Sequence, residues 1–242
     1  MAQSTYLPEL GACAADLAVS PRHSALVRIT HWITAICFIS LLVSGTAILL
    51  VQPSLYWGET GNFLTPSLMD LPIPYVSRGQ SGWGRHLHFM TAWISIITGL
   101  VYVVFGFATR HFRKNLFPSS KHLSLASLAN TFSIQLRSKP LSEVDFLTYN
   151  FVQRMTYLGV IFVLFPMMIW SGFAMSPGLV AVFPALVNLL GGHQSARTIH
   201  FCVAVLLVAF LIVHVAMVCL SGFVHRMGGM ITGRRAARKE PA

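Results

Sequence analysis

Ten histidines stand in this 242-residue chain, and four of them, His31, His88, His200 and His214, fall inside or at the edge of long apolar stretches. An ionisable side chain in hydrocarbon is costly, so each of these must face other protein or do chemistry. Taken singly, a buried imidazole is commonly a hydrogen-bonding group between helices. The joint arrangement asks for more than that. His200 and His214 are 14 residues apart, which on a helix is about 21 Å and just under four turns, so they share one face at two depths. Two bis-histidine sites stacked across a membrane would use His200 with His88 at one depth and His214 with His31 at the other. Zinc would want four ligands, and no further Cys, Asp or Glu lies at suitable depth in the apolar stretches. Haem iron needs only two axial side chains, which makes haem the group that suits these positions. The sequence has no C-x-x-C-H motif, so covalent attachment of the c type is excluded.

A short motif recurs beside the proposed ligands: Arg28-x-x-His31, Arg85-x-x-His88 and Arg197-x-x-His200. Residues three apart share a helix face, so each Arg lies one turn toward water on the ligand side, where haem propionates would emerge. Arginines snorkelling at helix ends would give the same pattern one at a time. The spacing selects His88 over His86, which two residues of separation turn to the other side of the helix. Gly45, Gly99, Gly159 and Gly172 lie in helix interiors, where glycine ordinarily costs stability. They would let a flat macrocycle approach the backbone, although close helix packing uses the same residues.

These positions must be carried by membrane-spanning helices. The chain is 55% hydrophobic and 10% charged, with a formal charge of +10, whereas ordinary soluble domains carry about 25% charged residues. Disorder, a fibre and a disulfide scaffold are excluded, since apolar content is high and the four cysteines are scattered. Four stretches are long enough to cross a bilayer, about 29–51, 88–107, 157–175 and 198–220. A fifth apolar segment, 179–190, is short and holds Pro184, so it reads as interfacial or re-entrant.

Cytoplasmic segments collect Arg and Lys. Here the N-terminal segment, the loop 109–153 with Arg154, and the tail 222–242 hold all the basic residues except Arg78, Arg85 and Arg197. The expectation is an all-α integral membrane protein, a four-transmembrane-helix bundle forming one domain with both termini cytoplasmic. The positive charge is then a topology signal and does not call for nucleic acid. No cleaved signal peptide is expected, because the first apolar stretch is too long for one. The outer loop 52–84, rich in Gly, Pro and aromatic residues, suits either partner docking or an aromatic belt. The segment 176–196 is expected at the outer interface. In the cytoplasmic loop, Leu125, Leu128, Phe132 and Leu136 recur at helical spacing, as in a helix lying on the membrane.

Several segments then resemble one family. Arg28-Ile29-Thr30-His31-Trp32 running on to Ser44-Gly45, the Gly84-Arg85-His86-Leu87-His88 segment, the Tyr149-Asn150-x-x-Gln153-Arg154 entry to the third helix, and the His200/His214 spacing are similar to the di-haem cytochrome b subunit of respiratory formate dehydrogenases. Related subunits serve nickel-iron hydrogenases and thiosulfate-reductase-type molybdoenzymes. The resemblance runs from about residue 22 to 235. It implies two haem b groups, the inner held by His31 and His214 and the outer by His88 and His200, matching the pairing by depth. It also implies a quinone beside the inner haem, near Asn150 and His214. Independently, Tyr149, Asn150, Gln153, Arg154 and Tyr157 offer hydrogen bonds to quinone carbonyls and a proton route. Asn150 with Gln153 can equally cap the third helix. The loop 52–84 and the segment 176–196 look longer than in the formate dehydrogenase subunit, which favours a partner of the thiosulfate-reductase-like branch.

The sequence therefore leads to a multi-pass protein of the bacterial inner membrane. It would link a periplasmic molybdopterin-type oxidoreductase, with or without an iron-sulfur subunit, to the quinone pool. No pterin, iron-sulfur or flavin motif is present, so the substrate chemistry would belong to the partner. The alternative is a haem-free membrane scaffold or small transporter that uses its histidines as relay groups.

Overall fold

Long runs of Ile, Leu, Val and Ala without interior charge dictate helices here, because backbone N–H and C=O groups in lipid must be satisfied within their own segment. In the computed structural model, which describes residues 24–61, 65–76, 82–109, 155–220 and 223–233, helix α1 is Ala25–Leu49 and α2 is Gly82–Ala108. The third span runs over Met155–Ala174, ending in α3 (Phe165–Ala174), and the fourth is α6 (His193–Leu220). Two short helices, α4 (Pro177–Val182) and α5 (Ala185–Asn188), join the third and fourth spans, and α7 (Phe223–Thr232) follows α6. The described parts of Met1–Ile48, Ser77–Tyr102 and Ala209–Ala242 form one compact unit. Those of Leu49–Val76 and Val103–Val208 form another.

In the first unit, α1 buries only Thr30, Cys37 and Ser44, one residue in seven. Helix α2 repeats the pattern with Gly84, Thr91 and Thr98. A seven-residue period keeps one seam in register along a helix pair, and small residues on that seam permit close approach. A Cβ on Gly84 would lie 3.1 Å from Cβ of Ala47 and 3.4 Å from the Ser44 carbonyl, so a side chain at residue 84 would press the start of α2 away from α1 by a few tenths of an ångström. Ile29, Ile36, Leu100 and other large apolar residues are exposed, as lipid-facing residues are.

In the second unit, the third span carries a π-helical turn at Val160–Leu164, where the N–H of Phe165 donates to the Val160 carbonyl. Pro166 follows directly. Its ring crowds the carbonyl four residues back and supplies no N–H, and the wider turn accommodates both defects. The apolar segment 179–190 is broken for a related reason. Ser176 and Phe183 are non-helical, each before a proline, as the residue preceding proline tends to be. Ala174, Val187, Leu190 and Ala196 form a small buried core, with Trp170 donating to the Leu186 carbonyl.

The outer loop is more ordered than its composition suggests. Strands β1 (Ser54–Leu55) and β2 (Met69–Asp70) pair antiparallel, with Ser54 opposite Asp70. Hydroxyls of Ser54 and Ser67 bond the Asp70 carboxylate and hold its pKa below the ordinary value. The loop locks onto the start of α6 through the backbone: Gln194 and Ser195 N–H groups donate to the Gly58 carbonyl, and Gly58 N–H donates to Ser195 Oγ. Gly192, at φ +112°, could carry no side chain, since a Cβ would lie 2.5 Å from the Gly58 carbonyl carbon. Thr198 Oγ1 donates to the Tyr56 carbonyl at 2.7 Å.

Candidate haem-ligand site

A serine inside a helix commonly returns its hydroxyl proton to the carbonyl four residues back. Ser44 donates to the Ser40 carbonyl at 2.7 Å, and Ser171 to the Met167 carbonyl at 2.8 Å. The same two oxygens each stand 3.0 Å from a histidine Nδ1, that of His88 for Ser44 and that of His200 for Ser171. Both serines are fully buried. The glycine after each serine lies against the same ring: a Cβ on Gly45 would stand 3.5 Å from Cε1 of His88, and one on Gly172 would stand 3.6 Å from Cε1 of His200. A methyl group there would be in ordinary contact with the imidazole. Each glycine thus leaves the neighbouring imidazole without a side-chain contact from that residue. Gly99 and Gly159 meet nothing within 4 Å among the described residues.

His31 on α1 and His214 on α6 come together in the first unit. Their ring centroids are 6.3 Å apart and the planes are tilted by 46°. Two imidazoles on one metal, with metal–nitrogen bonds of about 2.0 Å, have centroids roughly 6 Å apart, so the separation suits a shared iron. Phe210 stacks on His214 at 5.7 Å, and Trp32 meets His31 edge-on at 5.5 Å. These rings fill the apolar surroundings of the pair and limit its rotation. His88 has Phe89 edge-on at 6.4 Å, while His86 is exposed. The pairing of His88 with His200 rests on the depth argument.

The arginines divide. Arg28 Nη1 donates to the Ile231 carbonyl at 2.9 Å, while its Nε is buried with no hydrogen-bond partner among the described residues. A buried N–H one turn from His31 fits a carboxylate such as a propionate, since an orphaned donor costs free energy until it is met. Arg197 binds the carbonyls of Ser54 and Gln52. Its first task is to hold the outer loop, though a guanidinium has five N–H groups. Arg85 is exposed. Tyr149, Asn150, Gln153, Arg154 and the stretch 125–136 lie outside the described residues. No cluster of three or more His, Cys, Asp or Glu side chains that could hold a metal ion occurs among the described residues.

Spacing alone did not single out Ser44 and Ser171, Trp32 or Phe210. The signal available was a Ser-Gly dipeptide inside an apolar stretch, at 44–45 and 171–172, the other two, at 81–82 and 221–222, lying outside those stretches.

A family model described as prokaryotic cytochrome b561 matches residues 22–233. The chain belongs to the prokaryotic cytochrome b561 family. This cytochrome is thus a multi-pass protein of the bacterial inner membrane that binds haem b and takes part in electron transport. The resemblance to membrane cytochrome b subunits holds, and the haem-free scaffold or transporter is set aside. The chain is 31% identical over 203 residues to a putative protein-methionine-sulfoxide reductase subunit YedZ1 of Azospira oryzae, covering 82% of this chain and 90% of that protein. No solved structure matches the chain.

Proposed function

We propose that this cytochrome is the two-haem membrane subunit of a respiratory complex, linking the quinone pool on the cytoplasmic side to a molybdopterin-type oxidoreductase at the outer face. The observation that carries the reading is the His31/His214 pair, two imidazoles from α1 and α6 at the separation one iron requires. His88 and His200 are the ligands of the second haem, each positioned by a serine and flanked by a glycine. Bound haem b supplies a one-electron couple, and the chain supplies its place and surroundings.

The similarity to a protein-methionine-sulfoxide reductase subunit supports a reductase as the partner. A reductase consumes electrons, so quinol would be oxidised near the inner pair and electrons delivered outward. Sulfoxide reduction is the first substrate class to assay, beside the thiosulfate-type chemistry suggested by loop length. The subunit composition of the purified complex distinguishes a partner joined directly from one joined through an iron-sulfur subunit. Tyr149, Asn150, Gln153 and Arg154 are the proposed quinone-binding residues, providing donors for the carbonyls and a path to cytoplasmic water. Propionates would meet Arg28 Nε and, at the outer level, Arg85 and Arg197.

The test is pyridine haemochrome quantitation with reduced-minus-oxidised spectra on wild type and the four single His→Ala variants. Two haems per chain are expected, one lost with His31 or His214 and the other with His88 or His200. A single haem in wild type purified with adequate haem supply would sink the two-haem reading. Quinol-dependent reduction of the purified protein tests the quinone link, and Asn150→Ala should slow it with both haems retained.

A further inference from the structure

Two halves of the chain carry the same pair of motifs. Ser44-Gly45-Thr46-Ala47 on the first span is echoed by Ser171-Gly172-Phe173-Ala174 on the third. Arg85-x-x-His88-Phe89 on the second is echoed by Arg197-x-x-His200-Phe201 on the fourth. The structure gives both copies the same contact: the serine oxygen lies 3.0 Å from Nδ1 of the histidine, and the glycine lies against Cε1. A contact that recurs with its whole motif is a device of the fold and not an accident of packing.

The protons can be assigned. A hydroxyl has one proton and two lone pairs. Ser44 Oγ is 2.7 Å from the Ser40 carbonyl and 3.2 Å from that of Leu41, and Ser171 Oγ is 2.8 and 3.1 Å from those of Met167 and Met168. Separations of 2.7 to 2.8 Å are the usual length of a strong O–H···O bond, so the hydroxyl proton belongs to the helix carbonyl. What faces the imidazole is a lone pair, so the 3.0 Å bond is donated by the ring, and in His88 the Leu41 carbonyl is a second acceptor beside the serine. The proton being on Nδ1 makes Nε2 the unprotonated nitrogen, which is the one able to coordinate iron. Were the serine to donate instead, the neutral ring would carry its proton on Nε2 and could not ligate.

We propose that Ser44 and Ser171 are positioning residues of the outer haem, each fixing the tautomer and rotation of its histidine and raising the basicity of the iron-bound nitrogen. The assignment rests on His88 and His200 being the outer ligands. A metal-bound imidazole whose other N–H is held by an oxygen is a better electron donor, so it favours the oxidised metal. The two serines together therefore keep the outer haem's potential lower than bare imidazoles would. His31 and His214 meet the rings of Trp32 and Phe210 respectively.

The experiment uses the full-length protein. Redox titration and low-temperature electron paramagnetic resonance are carried out on wild type, Ser44→Ala, Ser171→Ala and the double variant, with haem content measured for each. The expected result is two haems throughout, an upward shift of the outer potential in each single variant and a larger shift in the double, a changed outer-haem g-tensor, and an unmoved inner haem. Ser44→Thr, which keeps the oxygen, should restore the wild-type potential. Loss of the outer haem in Ser44→Ala with its return in Ser44→Thr would also support the assignment. Unmoved outer potential and g values with both haems present would overturn it, as would equal loss of haem from the Ala and Thr variants. A wild type with no outer haem would overturn the two-haem reading itself, and the haem assay separates that outcome from the others.

Discussion

Arg28 stands one turn before His31, and its guanidinium closes the C-terminal end of α7, reached 203 residues further along the chain. Gly233, at φ +77°, is the residue that makes room: a Cβ there would lie 2.9 Å from the Arg28 guanidinium carbon. Trp32 adds a second tie, Nε1 donating to the Met230 carbonyl at 3.2 Å. Helix α7 is amphipathic and has two glycines in its middle, Gly228 and Gly229, so it has little intrinsic helical stability. Arg28→Ala should remove about 1 to 2 kcal/mol of its local stability, and hydrogen exchange of the α7 amides should accelerate roughly tenfold; Arg85→Ala should leave that exchange unchanged. The spacing of Arg and His was readable from sequence because both residues lie on one helix turn. The carbonyls that Arg28 and Arg197 hold were not, because they lie 203 and about 145 residues away in the chain. Ser44 and Ser171 were hidden for a different reason. A serine in a span satisfies itself on its own helix, so nothing in the sequence required a second partner.

Helices α2 and α6 begin several residues before the apolar stretches they contain, at Gly82 and His193. Hydropathy marks where lipid begins, whereas the helix continues until its N–H groups find other acceptors, as those at the start of α6 do in Gly58. Those polar first turns carry Arg85 and Arg197, so the extensions place the arginines. The π-turn was likewise unreadable as such, although Pro166 inside an apolar stretch marks where a helix must adjust. The wider turn at Val160–Leu164 falls just before that proline. At this scale the sharpest test is a pair of glycines. Gly84→Ala forces α1 and α2 apart at 3.1 Å contact and should cost about 1 to 3 kcal/mol, lowering the temperature at which Soret absorbance is lost. Gly82→Ala, with open space around it, should not.

Four candidate spans among the described residues, with the distribution of Arg and Lys, predict a chain whose two ends face the cytoplasm. A fluorescent protein fused after Ala242 should mature and fluoresce, whereas alkaline phosphatase fused there should be inactive; the reverse would place the tail outside. Span number and helical class were legible because bilayer thickness acts on short windows of sequence. The arrangement of the outer loop was not, because it depends on contacts between the loop and the start of α6. Gly58 and Gly192 meet backbone to backbone, Arg197 holds two carbonyls at 52 and 54, and Thr198 holds that of Tyr56. Loop side chains add to this seat, since the His193 N–H donates to the Glu59 carboxylate and Leu55 and Tyr56 are buried, so a foreign loop would need matching residues at the start of α6. For exchanging partners by making hybrids between relatives, the transferable cassette is therefore discontinuous: residues 52–61 and 191–198 must travel together, and a graft of either alone would bring an outer surface with no seat.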